Sequence, residues 1–384
     1  MSYRIVFWGL LGVLTPFVVG AAVWVYSLPP NSPARAQPEI LTEESAAALA
    51  ALKPPKRQRP LVAIIGINDA TETTDYLTPY GILRRADVAD VMTLATEPGP
   101  VKLYPALEVE PDATIADFDA RHPQGADYVI VPAMSRDDDP KAMAWLKSQA
   151  QKGATVIAIC AGAKVAAAAG LLDDRPATTH WYFLRELRGD HPSIRYVADR
   201  RFVVDGGRAT TTGISASMPM MLTLIEAIAG REKATAVAKD LGLASWDARH
   251  DSSTFKLTRP FATTVLRNLA AFWQWETLGI ELTPGMDEVS LALTADAWSR
   301  TYRSRAVTFA ESADARVSRN GIRILPQEVT AVWPADRKLA LPTDVGPAKA
   351  LDETLQAIES RYDRRTRGIV AMQLEYPRRA VAQQ

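Results

Sequence analysis

Apolar runs of strand length recur along the middle of the chain, at Leu61–Ile67, Val91–Ala95, Tyr128–Val131 and Val156–Ile159. Between them the apolar residues fall at helical spacing: Ile82, Leu83 and Val88 in one stretch, Met143, Trp145, Leu146 and Ala150 across Lys141–Gln151 in another. Strands that alternate with helices predict an α/β fold built on a doubly wound parallel sheet, whose sites collect at the carboxyl ends of the strands. Extended pieces follow near Ile194–Val197 and Arg201–Val204, then the turn Gly206-Gly207, then Thr210–Ser217, before an apolar helix at Met218–Ala229 closes the domain. This pattern sets one domain at residues 61–243, followed by a connecting segment at 244–275.

The amino-terminal end has a different pattern. Ile5 to Tyr26 is 22 residues without a charge, enough as a helix at about 1.5 Å per residue to cross a bilayer core. Residues 1–27 therefore read as a single-pass anchor, against the alternative of a signal peptide cleaved near Ala34-Arg35-Ala36. Arg4 on one flank and Arg35 as the only nearby cation on the other place the soluble part outside the cytoplasm. Residues 28–60, with proline at both ends and a short helical patch at Glu43–Leu52, read as a linker.

Composition adds limits. Lysine plus arginine and aspartate plus glutamate balance at 44 each, so no global charge draws the chain to nucleic acid. A single cysteine excludes an intramolecular disulfide. No cofactor-binding motif is read, and the acids at Asp137-Asp138-Asp139 read as a solvated loop with no metal site.

The lone cysteine is well placed for chemistry. The strand ending at Ile159 meets Cys160 and breaks at Ala161-Gly162-Ala163 into an alanine-rich helix that stops at Gly170. A residue at such a turn is exposed over the end of the sheet, near helical N–H groups that favour a thiolate. His180 lies twenty positions on, where a base or proton carrier could return to the thiol. The alternative is a small buried hydrophobe at Cys160 and a hydrogen-bonded surface histidine at His180.

Strand, A-I-C-A-G-A, helix, then G-L-L-D-x-R-x-A-T-T-H-W resembles the ThiJ/PfpI superfamily, with the class I glutamine amidotransferase-like fold, over roughly Pro60 to Leu243. The likeness is greatest to the branch that holds isocyanide hydratase and the amidase-like domains of AraC-type regulators. That resemblance implies an acid at the start of the first helix, and matching through Thr78-Pro79 and Leu83-Arg84-Arg85-Ala86 puts Asp75 there, with Glu72 as the spare carboxylate. An acid in that position would hydrogen-bond the sulfur and pass a proton. Backbone donors would come from Ala161, Ala133 and Met134. The chain departs from the pattern at Pro132-Ala133-Met134, where the superfamily often has a glycine pair, and at Ala161, where isocyanide hydratase has threonine.

Beyond residue 275 the pattern starts again. With one offset, 287 − 72 = 215, Glu72–Pro111 lies over Asp287–Pro326 without a gap, matching Arg85 with Arg300, Thr93 with Thr308 and Pro111 with Pro326. Residues 276–384 thus read as a truncated second α/β copy, with Gly368–Leu374 as the strand before a missing elbow. Such a half should pack on the first domain or on another subunit, which leaves a homo-oligomer open, with Phe272, Trp273, Trp275 and Trp298 as contact residues. Thr235–Ser245 superficially resembles the start of a DNA-binding helix-turn-helix, but the polar stretch Trp246–Thr254 lacks a recognition helix, so nucleic acid is not expected as a partner.

The expectation is a membrane-anchored cysteine hydratase, amidase or hydrolase acting on a small electrophile, with Cys160, Asp75 and His180 catalytic and no cofactor. A ligand or redox sensor, an interaction module, or an AraC-like regulator without a clear DNA-binding domain are the alternatives.

Overall fold

The computed structural model describes residues 19–33 and 35–377. Most of the apolar run at 5–26 lies outside them; residues 19–27 are helical, with Val19, Val23, Trp24 and Tyr26 exposed. Among the described residues, no helix is long and apolar enough to cross a membrane.

The middle of the chain is a seven-stranded sheet in the order Phe202–Asp205, Arg208–Thr211, Thr155–Ala158, Tyr128–Val131, Leu61–Gly66, Asp90–Ala95, Ala113–Thr114. Its pairings are parallel apart from the hairpin between the first two. All six residues of Leu61–Gly66 are buried because helices cover both faces. Val62 and Ile64 belong to the core under the opening helix Thr73–Ala86 and helix Ser217–Ala229. Leu61, Ala63 and Ile65 face the other core, with Trp145 of helix Pro140–Gln151 and Val165 of the elbow helix Gly162–Ala168. The start of this central strand is pinned by the buried Asp127 carboxylate, which accepts from the backbone of Lys56, Arg57 and Leu61 and pairs with the Arg57 guanidinium at 2.6 Å. With that many donors, none of the hydrogen-bonding capacity of this buried side chain is wasted.

The segment expected to serve as a linker is docked. Its helix Thr42–Ala51 ends at Leu52, which is fully buried and whose carbonyl accepts from the Tyr128 hydroxyl, while Glu44 pairs with Arg200. Helix Arg231–Leu241 stops at Gly242 in the left-handed region, and only a short 3₁₀ turn lies between it and helix Arg259–Ala270.

Residues 276–377 form a second, four-stranded sheet, all parallel, in the order Glu328–Val329, Ser304–Ala310, Glu276–Glu281, Lys338–Leu339. Helix Glu288–Ser299 is wedged between this sheet and the opening helix, and its residues from Glu288 to Trp298 are all buried. The contact is close: a Cβ on Gly81 would come within 2.4 Å of Val289 and 2.5 Å of Glu288. Trp298 lies in the shared core, whereas Phe272, Trp273 and Trp275 are exposed. Gly368–Leu374 is not a strand. Arg364–Gln373 is a helix, bonded through Asn268 and Thr366 to helix Arg259–Ala270.

Candidate active site around Cys160

Cys160 follows the carboxyl end of strand Thr155–Ala158 in the left-handed region, φ +57°, and opens the elbow. Two contacts hold that strained backbone: the Thr211 hydroxyl accepts from the Cys160 N–H at 3.1 Å, and the Thr179 hydroxyl donates to the Cys160 carbonyl at 3.0 Å. Gly162 lets the elbow helix sit against the neighbouring strand, since a Cβ there would lie 2.0 Å from the Val131 carbonyl oxygen. The thiol is buried, 5 % exposed. Burial, then the carboxylates of Asp75 and Glu72, push it well above the ordinary thiol range, against the opposing Ala161 N–H.

Asp75 sits in the first turn of the opening helix and is fully buried. Its Oδ2 accepts from the Ala133 N–H at 3.1 Å, while its Oδ1 has no partner among the described residues. Burial, then the neighbouring Glu72, raise its pKa well above the usual carboxylate range. Glu72 is the N-cap of the same helix and accepts from the Asp75 N–H at 2.6 Å and the Thr74 hydroxyl at 2.9 Å. Burial and Asp296 push Glu72 up to about 7, and Arg300, 2.9 Å away, opposes them.

Two expectations need correction. His180 is not available as a base. Its Nε2 donates to the Gln373 carbonyl at 2.9 Å and its Nδ1 accepts from the Tyr182 N–H at 3.2 Å, which fixes a neutral ring, and burial lowers its pKa to about 4. Ala133 is not a free oxyanion donor, because its N–H is committed to Asp75, and its carbonyl accepts from the Glu72 N–H. Met134 is tied into a bridge with Thr71. Of the three backbone donors, Ala161 is the one directed to the sulfur.

Two residues from the carboxyl-terminal unit complete the surroundings, and neither was assigned to the site from sequence. Arg300 joins Glu72 to the buried Asp296, at 2.9 and 2.8 Å. Glu375, φ +46° and buried, accepts from the Trp181 N–H at 2.6 Å and the Gly213 N–H at 2.9 Å. The 215-residue offset had already set Arg300 over Arg85. Nothing comparable marked Glu375, whose role depends on the last helix folding back over His180. Of the acidic run, Asp139 caps helix Pro140–Gln151 and Asp137 pairs with Lys164. Among the described residues, no cluster of His, Cys, Asp and Glu could hold a metal ion.

A parallel doubly wound sheet with a strained cysteine elbow and a buried acid from the opening helix defines a class of α/β proteins with a thiol at the switch of strand into helix. The chain belongs to the DJ-1/PfpI family, whose profile matches residues 62–227. It is 30% identical over 172 residues to an isonitrile hydratase of Pseudomonas putida, covering 44% of this chain and 72% of that one. It is 28% identical over 182 residues to the HTH-type transcriptional regulator CdhR of Pseudomonas aeruginosa, covering 47% of this chain; the chain spans about half, 52%, of that regulator's length. The crystal structure of Drosophila melanogaster DJ-1beta aligns with a TM-score of 0.43 at 25% identity, over 49% of this chain and 100% of that one.

Proposed function

We propose that residues 61–243 carry a cysteine site that adds its thiol to a small electrophilic carbon, as a hydratase, amidase or hydrolase does. The observation that carries this reading is the buried Asp75, whose Oδ1 has no partner among the described residues and whose pKa burial raises, together with a thiol held at a strained elbow; in this proposal Asp75 is the protonated acid. In the addition a sulfur–carbon bond forms and one bond of the carbon–heteroatom multiple bond breaks. Asp75 gives its proton to the nitrogen of a nitrile, or to the terminal carbon of an isonitrile, and recovers one from the thiol, so no net charge is left in the buried site. Attack by water on the adduct would then release a hydrated product and restore the thiol. The likeness to an isonitrile hydratase supports this chemistry as a class.

A second reading, a sensor in which the adduct is the signal, is favoured by the burial of Cys160 and by the position of a cavity of about 480 Å³ elsewhere, between helix Thr42–Ala51 and Trp246. One experiment separates the two. Incubation of the full chain with a small isonitrile or nitrile, followed by intact mass, is expected to give one adduct per chain that is lost in Cys160→Ser and forms about 10²-fold more slowly in Asp75→Asn. Release of hydrated product supports the enzyme, and a stable adduct the sensor. An adduct rate indifferent to Asp75 overturns both.

We also infer that residues 276–384 are a truncated second copy of the α/β unit. The reading is supported by strands at Glu276–Glu281, Arg323–Leu325 and Glu328–Val329, each 215 residues after Leu61–Gly66, Glu108–Glu110 and Ala113–Thr114.

A further inference from the structure

We propose that this carboxyl-terminal unit occupies the seat of a second subunit within the same chain, and that Arg300 reaches from it into the Cys160 site as a positioning residue. The inference rests on the second-copy reading and on the position of Cys160, but not on any turnover there.

Two independent seams carry it. At the first, the opening helix meets helix Glu288–Ser299, and each is capped at its amino end by an acid that accepts from the backbone three residues on: Glu72 from Asp75, Asp287 from Ser290. Across the seam Arg300 pairs with Glu72, and Arg85 pairs with Asp287. Since 72 + 215 = 287 and 85 + 215 = 300, these are the same ion pair made twice with the partners exchanged. At the second seam, Glu108–Glu110 pairs antiparallel with Arg323–Leu325, in the register Glu110 to Arg323, Val109 to Ile324, Glu108 to Leu325. Since 109 + 215 = 324, Val109 pairs with its own counterpart, and the flanking pairs exchange about it. A contact in which i meets j′ and j meets i′ is the signature of a two-fold interface. Here it is closed inside one chain, and the face that a second subunit would use is filled.

The two halves of the seam look alike but do not do the same work. Glu72 accepts from the Asp75 backbone, and both acids act on the Cys160 thiol, whereas Asp287 accepts from Ser290 and the second unit has no cysteine. Arg300 holds the Glu72 carboxylate against the N-terminal turn that carries Asp75, and its charge and that of Cys160 act on each other. Arg85 does the same structural job with no thiol on its side.

The symmetry supplies its own control. Because the chain has one cysteine, the pH dependence of its alkylation by iodoacetamide reports Cys160 alone. Arg300→Met is expected to move the midpoint of that profile upward, with a loss of about tenfold in rate at fixed pH for each pH unit moved. Arg300→Lys should restore most of the loss, and Arg85→Met should leave the midpoint in place. If Arg300→Met does not fold, Arg300→Lys with Glu72→Gln serves instead: Glu72→Gln removes a negative neighbour and should lower the midpoint. Equal shifts in Arg300→Met and Arg85→Met, or no shift in Arg300→Met or Glu72→Gln, would overturn the proposal. Failure of Cys160 to form an electrophile adduct would end the functional reading above and leave this comparison intact. Sedimentation of the full chain in detergent should give a monomer; a dimer that Arg85→Met and Arg300→Lys both dissociate would also overturn it.

Discussion

Arg300→Met is expected to lower folding stability by about 3–5 kcal/mol, the loss typical of breaking a buried ion pair by removing one partner. Arg300 is the counter-ion of two buried carboxylates, Glu72 and the fully buried Asp296, and bonds both within 2.9 Å. Burial opposes its charge, yet Asp296 and Glu72 outweigh that and hold its pKa above the ordinary arginine value. Without the guanidinium, the two acids must take up protons or repel each other in a dry seam. Urea unfolding near neutral pH measures the loss. The contrast is Arg59→Met, whose pairs with Asp87 and Asp90 are exposed on both sides and screened by solvent, so that its loss should leave the urea midpoint nearly unchanged. A loss below 1 kcal/mol in Arg300→Met would mean that solvent already reaches the seam.

The second large effect lies in the pH dependence given by Glu375. Burial pushes its pKa up to about 7, against bonds from Gly213 and Trp181. The folded chain therefore holds this proton more tightly than the unfolded chain does. The resulting stability is complete below the ordinary value of 4.5 and is lost as pH rises through about 7. The difference amounts to about 3 kcal/mol. Glu72 acts in the same direction, but His180 and His250, both lowered to about 4 by burial, act in the opposite one, gaining stability as pH rises towards 6.5. The contribution must therefore be read as a difference. From pH 4.5 to pH 8 the wild-type chain should lose about 3 kcal/mol relative to Glu375→Gln in unfolding measured at matched pH. Parallel stability curves for the two proteins would show that Glu375 is ionised in the fold throughout.

Much of this architecture is legible in the amino-acid pattern, for identifiable reasons. Strands buried on both faces leave uninterrupted apolar runs, so Leu61–Gly66, Tyr128–Val131 and Thr155–Ala158 lie where those runs do. The elbow is legible because Cys160 and Gly162 meet two separate steric demands at one turn. Asp75 was reached by resemblance, and its burial could not be read from a helix start that a capping acid would explain equally well. His180 misled because spacing to the cysteine says nothing about which carbonyl the ring will face, and here that carbonyl belongs to Gln373, 193 residues away. Gly368–Leu374 misled for a related reason: an apolar run takes the form that suits the surface it packs on, and here helix Arg259–Ala270 offers a helical face. The linker reading failed on Leu52, a single large apolar residue that is enough to dock a short alanine-rich helix.

The account turns on whether Asp75 holds a proton beside the thiol at neutral pH. Infrared difference spectroscopy of the full chain at pH 7, wild type minus Asp75→Asn, reads that proton directly. The expected result is a protonated-carboxyl C=O band present in the wild type, missing in the variant, and shifted when Cys160 is alkylated. Superposable spectra in the carboxylic-acid region, with the variant instead lacking a carboxylate band, would mean that Asp75 is ionised and that the proposed acid-assisted addition at Cys160 has no acid.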